Sequence, residues 1–319
     1  MRKNFSKIIA GGFLAMTLLA TPASAAPLSF DPDSAIAQYT QKLQREPNNA
    51  VVYNNRGYAY KLKKDYDKAI ADFTRAVELD PNYADAYNNR GTVFEIVDRK
   101  DDAYKDYTRA IELNPNNAVA LNNRGLLTGK MATYKDKSGA DANAIYERAI
   151  NDLTRAIQIN PNYAEAYQNR GIVYSYRAGE YYKSAIADLT RAIELGINTV
   201  EIFSTRGSCY RAIQEPDRAL ADFDKAIAIN PNHGGTYNNR GLIYFDKKDY
   251  QRAIADFKKS IELGMNLSVA YTNLGLCYYQ LGDYDKAIDC YNRALSVNQN
   301  FQPAIQNMQV AYEAKAGRR

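Results

Sequence analysis

Apolar and small side chains return along most of this chain with a helical spacing, in blocks that repeat. In the block 50–83, Tyr53, Gly57 and Tyr60 share one face of a first helix, Ala69, Phe73 and Ala76 share a face of a second, and Pro81 follows. Intervals of three and four residues are those of a helix face. The set recurs one block later as Tyr87, Gly91, Phe94, Ala103, Tyr107, Ala110 and Pro115. We number each block so that its large residue is position 4 and its glycine position 8. Seven blocks then open at Ala50, Ala84, Ala118, Ala164, Val200, Gly234 and Ser268. Small residues at 8 and 20 let the paired helices approach closely, and proline at 32 ends the second helix. After the fourth and sixth blocks Gly196 and Gly264 supply that break instead. One helix pair cannot bury its own apolar face, so the blocks must stack.

The pattern of large residue, glycine, tyrosine, alanine, phenylalanine, alanine and proline resembles the tetratricopeptide repeat over residues 50–301. The resemblance implies an all-α fold: a right-handed α-solenoid of seven helix-pair repeats, 50–83, 84–117, 118–163, 164–199, 200–233, 234–267 and 268–301, with helical caps at both ends. Solenoids need polar ends for solubility. Residues 26–49 supply a lead and a lone second-type helix, and 302–319 a lone first-type helix. The third repeat carries twelve extra residues, and the polar composition of Lys130–Asp141 predicts a loop there. The fourth carries two extra near Ala178, Gly179 and Glu180.

The first residues follow another rule. Arg2, Lys3 and Lys7 precede an apolar stretch from Ile8 to Ala20, and Ala23-Ser24-Ala25 follows. A basic start, a short apolar run and an A-x-A site predict a signal peptide over 1–25 and an exported protein, periplasmic or secreted. The competing reading is an uncleaved membrane anchor, for which the stretch is short. Cleavage would remove three cations and no acid, lowering the formal charge from +5 to +2. That excess is too small to call for a nucleic-acid partner. The three cysteines, Cys209, Cys277 and Cys290, are an odd number, so at least one thiol stays unpaired within a monomer. Cys277 and Cys290 fall on the two helices of one repeat, where a disulfide and buried free thiols are both open readings.

Two positions recur without a packing reason. Position 7 is arginine in six repeats, as Arg56, Arg90, Arg124, Arg170, Arg206 and Arg240, and position 23 of the same six is aspartate, as Asp72, Asp106, Asp152, Asp188, Asp222 and Asp256. The seventh repeat has Leu274 and Cys290 instead. Charges that appear and vanish together predict structural ion pairs at the edge of the buried face. The competing reading, arginines held ready for phosphate or RNA, requires them to be unpaired.

Position 6, turned away from the partner helix, is Asn55, Asn89, Asn123, Asn169, Asn239 and Asn273, with Thr205 as the exception within the repeats. Position 5 adds Asn54, Asn88, Asn122 and Asn238, and position 9 adds Tyr58, Leu126, Ile172, Leu242 and Leu276. In long arrays of the tetratricopeptide family the first helices line the concave side, and a ladder of asparagines grips an extended peptide. The ladder here looks like that arrangement, which implies a partner-binding face. An amide both donates and accepts, and so matches a peptide group without reading side chains. The competing reading is that the amides bond only to the next helix of the stack.

Position 2 contains no lysine, against a clamp of the co-chaperone type for a C-terminal carboxylate. His233, the one histidine, sits in a turn beside Gly234, and no nucleophile elbow, phosphate loop or metal-ligand spacing occurs. The sequence therefore predicts a non-catalytic scaffold for a protein or peptide partner, without cofactor, metal, nucleic acid or, once cleaved, membrane contact. The second reading is a self-associating structural protein of the envelope, whose ladder is only structural.

Overall fold

The computed structural model describes residues 31–134 and 140–317. The expected targeting segment 1–25, the lead to residue 30, and residues 135–139 of the third-repeat insert lie outside them. Sixteen α-helices and no strand occur among the described residues. Helix α1 (Pro32–Arg45) is a lone second-type helix. Seven pairs follow: α2 (Ala50–Leu62) with α3 (Tyr66–Leu79), α4 (Ala84–Ile96) with α5 (Lys100–Leu113), α6 (Ala118–Tyr134) with α7 (Ala140–Ile159), and α8 (Ala164–Arg177) with α9 (Tyr182–Glu194). Then come α10 (Val200–Ala212) with α11 (Pro216–Ile229), α12 (Gly234–Asp246) with α13 (Tyr250–Glu262), and α14 (Leu267–Gln280) with α15 (Tyr284–Val297). Helix α16 (Gln302–Ala316) closes the array. None of the helices is long and apolar enough to cross a membrane.

Local chemistry sets the helix starts. Asn49, Asp65, Thr199, Asp249 and Asp283 each accept a backbone N–H from the first turn that follows, satisfying donors that no helical partner reaches. Pro216 and the prolines of the two terminal helices occupy the first turn, where no N–H is needed.

Within each pair the core follows the predicted positions. Ala69, Phe73 and Ala76 are fully buried, as are Ala219, Phe223 and Ala226 four repeats later. The glycine of position 8 is required by contact distance: a Cβ at Gly275 would lie 2.5 Å from Cε1 of Tyr291. First helices of successive repeats also touch one another, whereas no two successive second helices do. The array therefore curves with the first helices on its inner side, which makes their free face concave.

The third repeat departs from its expected loop. Residues 130–134 continue α6 and residues 140–141 begin α7, so most of the insert lengthens the two helices. The cause is apolar spacing just after the polar run: Ala142, Ile145, Tyr146 and Ala149 pack as one face with Ala132 and Val173. Gly129 lets this extension approach α8, since a Cβ there would lie 2.5 Å from Cγ2 of Val173. The two extra residues of the fourth repeat form a 3₁₀ turn, Gly179–Tyr181, whose Tyr181 lies beneath the Arg177 guanidinium at 3.9 Å.

The ends are built not to stack. Gln309 occupies the glycine position of α16 and Lys42 the second alanine position of α1, and both are exposed. A further helix docking on either would meet a long polar side chain where the interior repeats offer a small one.

Candidate functional site

The inner face rests on a rigid frame of arginines. Each position-7 arginine grips its position-23 aspartate with two parallel bonds: Arg56 Nε and Nη2 reach Asp72 at 2.7 and 2.8 Å. The same fork joins Arg90 to Asp106, Arg124 to Asp152, Arg170 to Asp188, Arg206 to Asp222 and Arg240 to Asp256. The remaining nitrogen, Nη1, crosses to the preceding second helix. There it donates to the hydroxyl of Thr40, Thr74, Thr108, Thr154 or Thr190, and for Arg240 to the carboxylate of Asp224 at 2.6 Å. One side chain thus ties together its own pair and the repeat before it.

Aromatic rings lie near several of these guanidinium groups, as Tyr53 and Tyr60 do for Arg56 at 5.6 and 5.9 Å. The Asp72 hydrogen bond raises the pKa of Arg56 against the opposing effect of burial. For Arg90, Arg124, Arg170 and Arg206 burial pulls the pKa down, but the bond and charge of the aspartate outweigh it and the net shift is upward. Three of the five N–H donors of each arginine are thus engaged inside the protein.

The asparagines form two tiers. Position 5 is buried between neighbouring first helices: Asn54, Asn88, Asn122 and Asn238 are 4–7 % exposed. Position 6 of one repeat donates to position 5 of the repeat before it. Asn89 Nδ2 reaches Asn54 at 2.9 Å, Asn123 reaches Asn88 at 3.1 Å, Asn169 reaches Asn122 at 2.8 Å and Asn273 reaches Asn238 at 2.9 Å. The position-5 amides, expected on the free face, are therefore acceptors within the stack, because curvature brings adjacent first helices over them.

The position-6 amides, half-buried apart from Asn169, keep capacity at the groove. An amide has two N–H donors and two lone pairs, and the stack bond of Asn89 or Asn273 uses one N–H. Asn55 opens the series; its Oδ1 accepts from Asn54, and among the described residues no first helix precedes its own. At position 9, Tyr58 is exposed beneath the Lys61 ammonium at 4.7 Å, and Leu126, Leu242 and Leu276 are half-buried. Ile172 was also expected there, but it is 4 % exposed and packs against Ile202 and Phe203, so it belongs to the core.

The ladder is interrupted once, at the fifth repeat. Ser204 and Thr205 replace the two amides, and Gln168 turns instead to Glu201 at 3.3 Å. Asn239 finds no amide behind it and reaches only Ser208 Oγ, at 3.5 Å. The missing volume leaves a concavity of about 300 Å³ lined by Ser175, Tyr182, Ser204, Thr205, Ser208 and Asn239, with Cys209 in its wall. The sequence carried a signal for this feature in the one broken rung, Thr205.

All three cysteines are free and buried. Burial raises the thiol pKa to about 12 for Cys209 and Cys277 and to about 11 for Cys290, which disfavours the reactive thiolate. His233 is exposed and its Nδ1 pairs with Thr236 Oγ1 at 2.7 Å, a turn contact before α12.

Comparison with known proteins places this geometry. The family model described as tetratricopeptide repeat matches residues 50–83, 84–117, 200–233, 236–263 and 268–301, and the one described as TPR repeat matches 146–175. Among the stretches without a match, 118–145 contains the lengthened part of the third repeat. No curated protein matches the chain. Among solved structures, a tetratricopeptide repeat protein from Parabacteroides merdae is similar at 19 % identity, over 88 % of this chain and 99 % of its own, with a TM-score of 0.58. The Cut9–Hcn1 hetero-tetramer of the APC/C aligns over 89 % of this chain and 53 % of the matched one at 18 % identity, TM-score 0.57. A thermophilic TPR protein of Thermus thermophilus aligns over 62 % of this chain and all of its own at 20 % identity, TM-score 0.50. At these identities the structures attest the fold. The family's fold is a non-enzymatic scaffold for protein–protein interaction, and by the matched repeats, which span half its length, the chain belongs to the tetratricopeptide repeat family.

Proposed function

We propose that this protein is a non-catalytic scaffold, exported across the cytoplasmic membrane, that holds an extended segment of a partner protein along the concave face of its first helices. The observation that supports the reading is the state of the position-6 amides. They stand in file on the inner face, and four of them, Asn89, Asn123, Asn169 and Asn273, are oriented by a bond to the preceding repeat, with donors and lone pairs left over. Pre-oriented amides lose little freedom on binding. The half-buried leucines at position 9 offer apolar contact between them.

The second reading, a self-associating envelope protein with a purely structural ladder, draws on the same amide-to-amide bonds. The blocked ends weigh against head-to-tail association, since Gln309 and Lys42 stand where a stacked helix would need small residues.

Because position-6 amides also join the repeats, removing them would weaken the stack, and the test must change the groove without touching them. The mature chain and a Tyr58→Ala/Thr92→Arg variant are to be used as baits on the envelope fraction of the native cell. We expect a partner retained by the first and lost by the second, at unchanged melting temperature. Equal capture by both contradicts the groove. Export is tested by sequencing the N-terminus of the protein recovered from that fraction: a start at Ala26 is expected, and an intact Met1 in the cytoplasm contradicts it.

A further inference from the structure

The concavity at the fifth repeat has a one-sided chemistry. Ser175 Oγ donates to the carbonyl of Ile172 at 2.7 Å, and Ser208 Oγ donates to the carbonyl of Ser204 at 2.8 Å. A carbonyl oxygen only accepts, so both hydroxyl protons are directed into the backbone. What the two serines turn toward the cavity is lone pairs. Ser204 and Thr236 share one hydrogen bond at 2.8 Å, in which either hydroxyl can donate. Asn239 spends one Nδ2 proton weakly on Ser208 and accepts weakly from Asn238 at Oδ1, both at 3.5 Å, which leaves it one N–H and one lone pair. Thr205 and Tyr182 bear hydroxyls that can turn either way.

No charged side chain lines the space, and α10 carries one carboxylate close by in sequence. Glu201 lies one turn before Ser204 and Thr205 on α10, exposed, bonded only to the neutral amide of Gln168. On the far side Arg211 is paired with Asp246 at 3.1 Å. The site thus offers the lone pairs of two serine hydroxyls whose protons are fixed elsewhere, with the exposed Glu201 carboxylate one turn away on α10.

We propose that this concavity is where the groove reads a side chain, and that it takes a lysine or arginine of the bound segment. The inference rests on the concave face being the peptide site. The other rungs carry amides that match any peptide group. The broken rung replaces them with a space, in which the lone pairs of Ser175 and Ser208 call for donors. An ammonium or guanidinium supplies donors to Ser175, Ser208 and Asn239 and a charge opposite to Glu201. A carboxylate would meet lone pairs and a like charge. An apolar side chain would strip water from oxygens without replacing it.

The test is a positional-scanning array of twelve-residue peptides, acetylated and amidated, each with one fixed residue and mixtures elsewhere, read with the mature chain. The expected result is one fixed position at which lysine or arginine binds at least tenfold better than glutamate or leucine. Thr205→Lys, which puts a fixed cation in the space, should abolish that preference and leave binding of the remaining peptide positions. Ser208→Asp, at an exposed residue, should strengthen it several-fold and gives a readout even if Thr205→Lys folds poorly. Peptides bound with no preference for a basic residue, or a preference that Ser208→Asp leaves unchanged, overturn this inference and leave the groove standing. Peptides bound by no form of the protein overturn both.

Discussion

The first four repeats and the fifth share one frame and differ in what they turn inward. In both regions an arginine forks onto its own aspartate and reaches the preceding second helix: Arg124 with Asp152 and Thr108, Arg206 with Asp222 and Thr190. The inner faces then diverge. Asn89, Asn123 and Asn169 close three successive joints, while the joints on either side of the fifth repeat are made without an amide pair, by Gln168 to Glu201 and Ser204 to Thr236. The frame is thus independent of the lining. A solenoid can change its groove at one repeat without altering the stack, because the bonds that set repeat geometry lie on the other side of the first helix.

The largest expected effect tests the shared half of that comparison. Arg124→Leu and Arg206→Leu should each cost about 3–5 kcal/mol, since each strands a buried aspartate. The two losses, read from urea unfolding, should be similar. A much smaller loss at Arg206 would mean that the open region has its own frame. Arg206→Leu combined with Asp222→Cys, the pairing that the seventh repeat uses as Leu274 and Cys290, should recover most of the loss.

A smaller effect separates the regions. Asn123→Ala leaves the buried Asn88 carbonyl without its donor and should cost about 1–3 kcal/mol. Thr205→Ala, at the equivalent place in the open repeat, should stay within about 0.5 kcal/mol. Equal costs would show that the ladder contributes nothing to the stack.

The smallest effect concerns pH. Hydrogen bonds from Lys68, Arg252 and Lys286 hold the Asp65, Asp249 and Asp283 carboxyls below the ordinary aspartate value of 3.8. A depressed folded pKa means that the capping contribution is complete above 3.8 and is lost as pH falls through the lower folded value. Amide-exchange protection at the starts of α3, α13 and α15 should therefore drop in acid. Helix α11 of the fifth repeat, which Glu215 precedes without a side-chain capping bond, should change less.

The frame was legible in the sequence because it repeats. Arginine and aspartate vary together, and the same comparison carried an unread companion: the threonine of Thr74, Thr108, Thr154 and Thr190 recurs one residue after the aromatic or leucine of position 24. It gives way to Lys258 just before the one repeat that lacks the arginine. The lining was legible only in part. Turning a helix by about 100° per residue locates a side chain relative to its own partner helix. It does not locate it relative to the next first helix, which curvature brings over Asn54, Asn88 and Ile172. The insert misled through composition: its polar residues hide the apolar spacing from Ala142 to Ala149 that extends α7.

The most direct test of the account compares the two sides of the solenoid. A photoreactive side chain is placed at Tyr58 on the inner face, and in a second protein at Lys105 on the exposed side of α5. Both are illuminated with the native envelope fraction. The account predicts a crosslinked partner from Tyr58 and none from Lys105. Crosslinking of the same partner from Lys105, with none from Tyr58, would contradict the concave face as the binding surface.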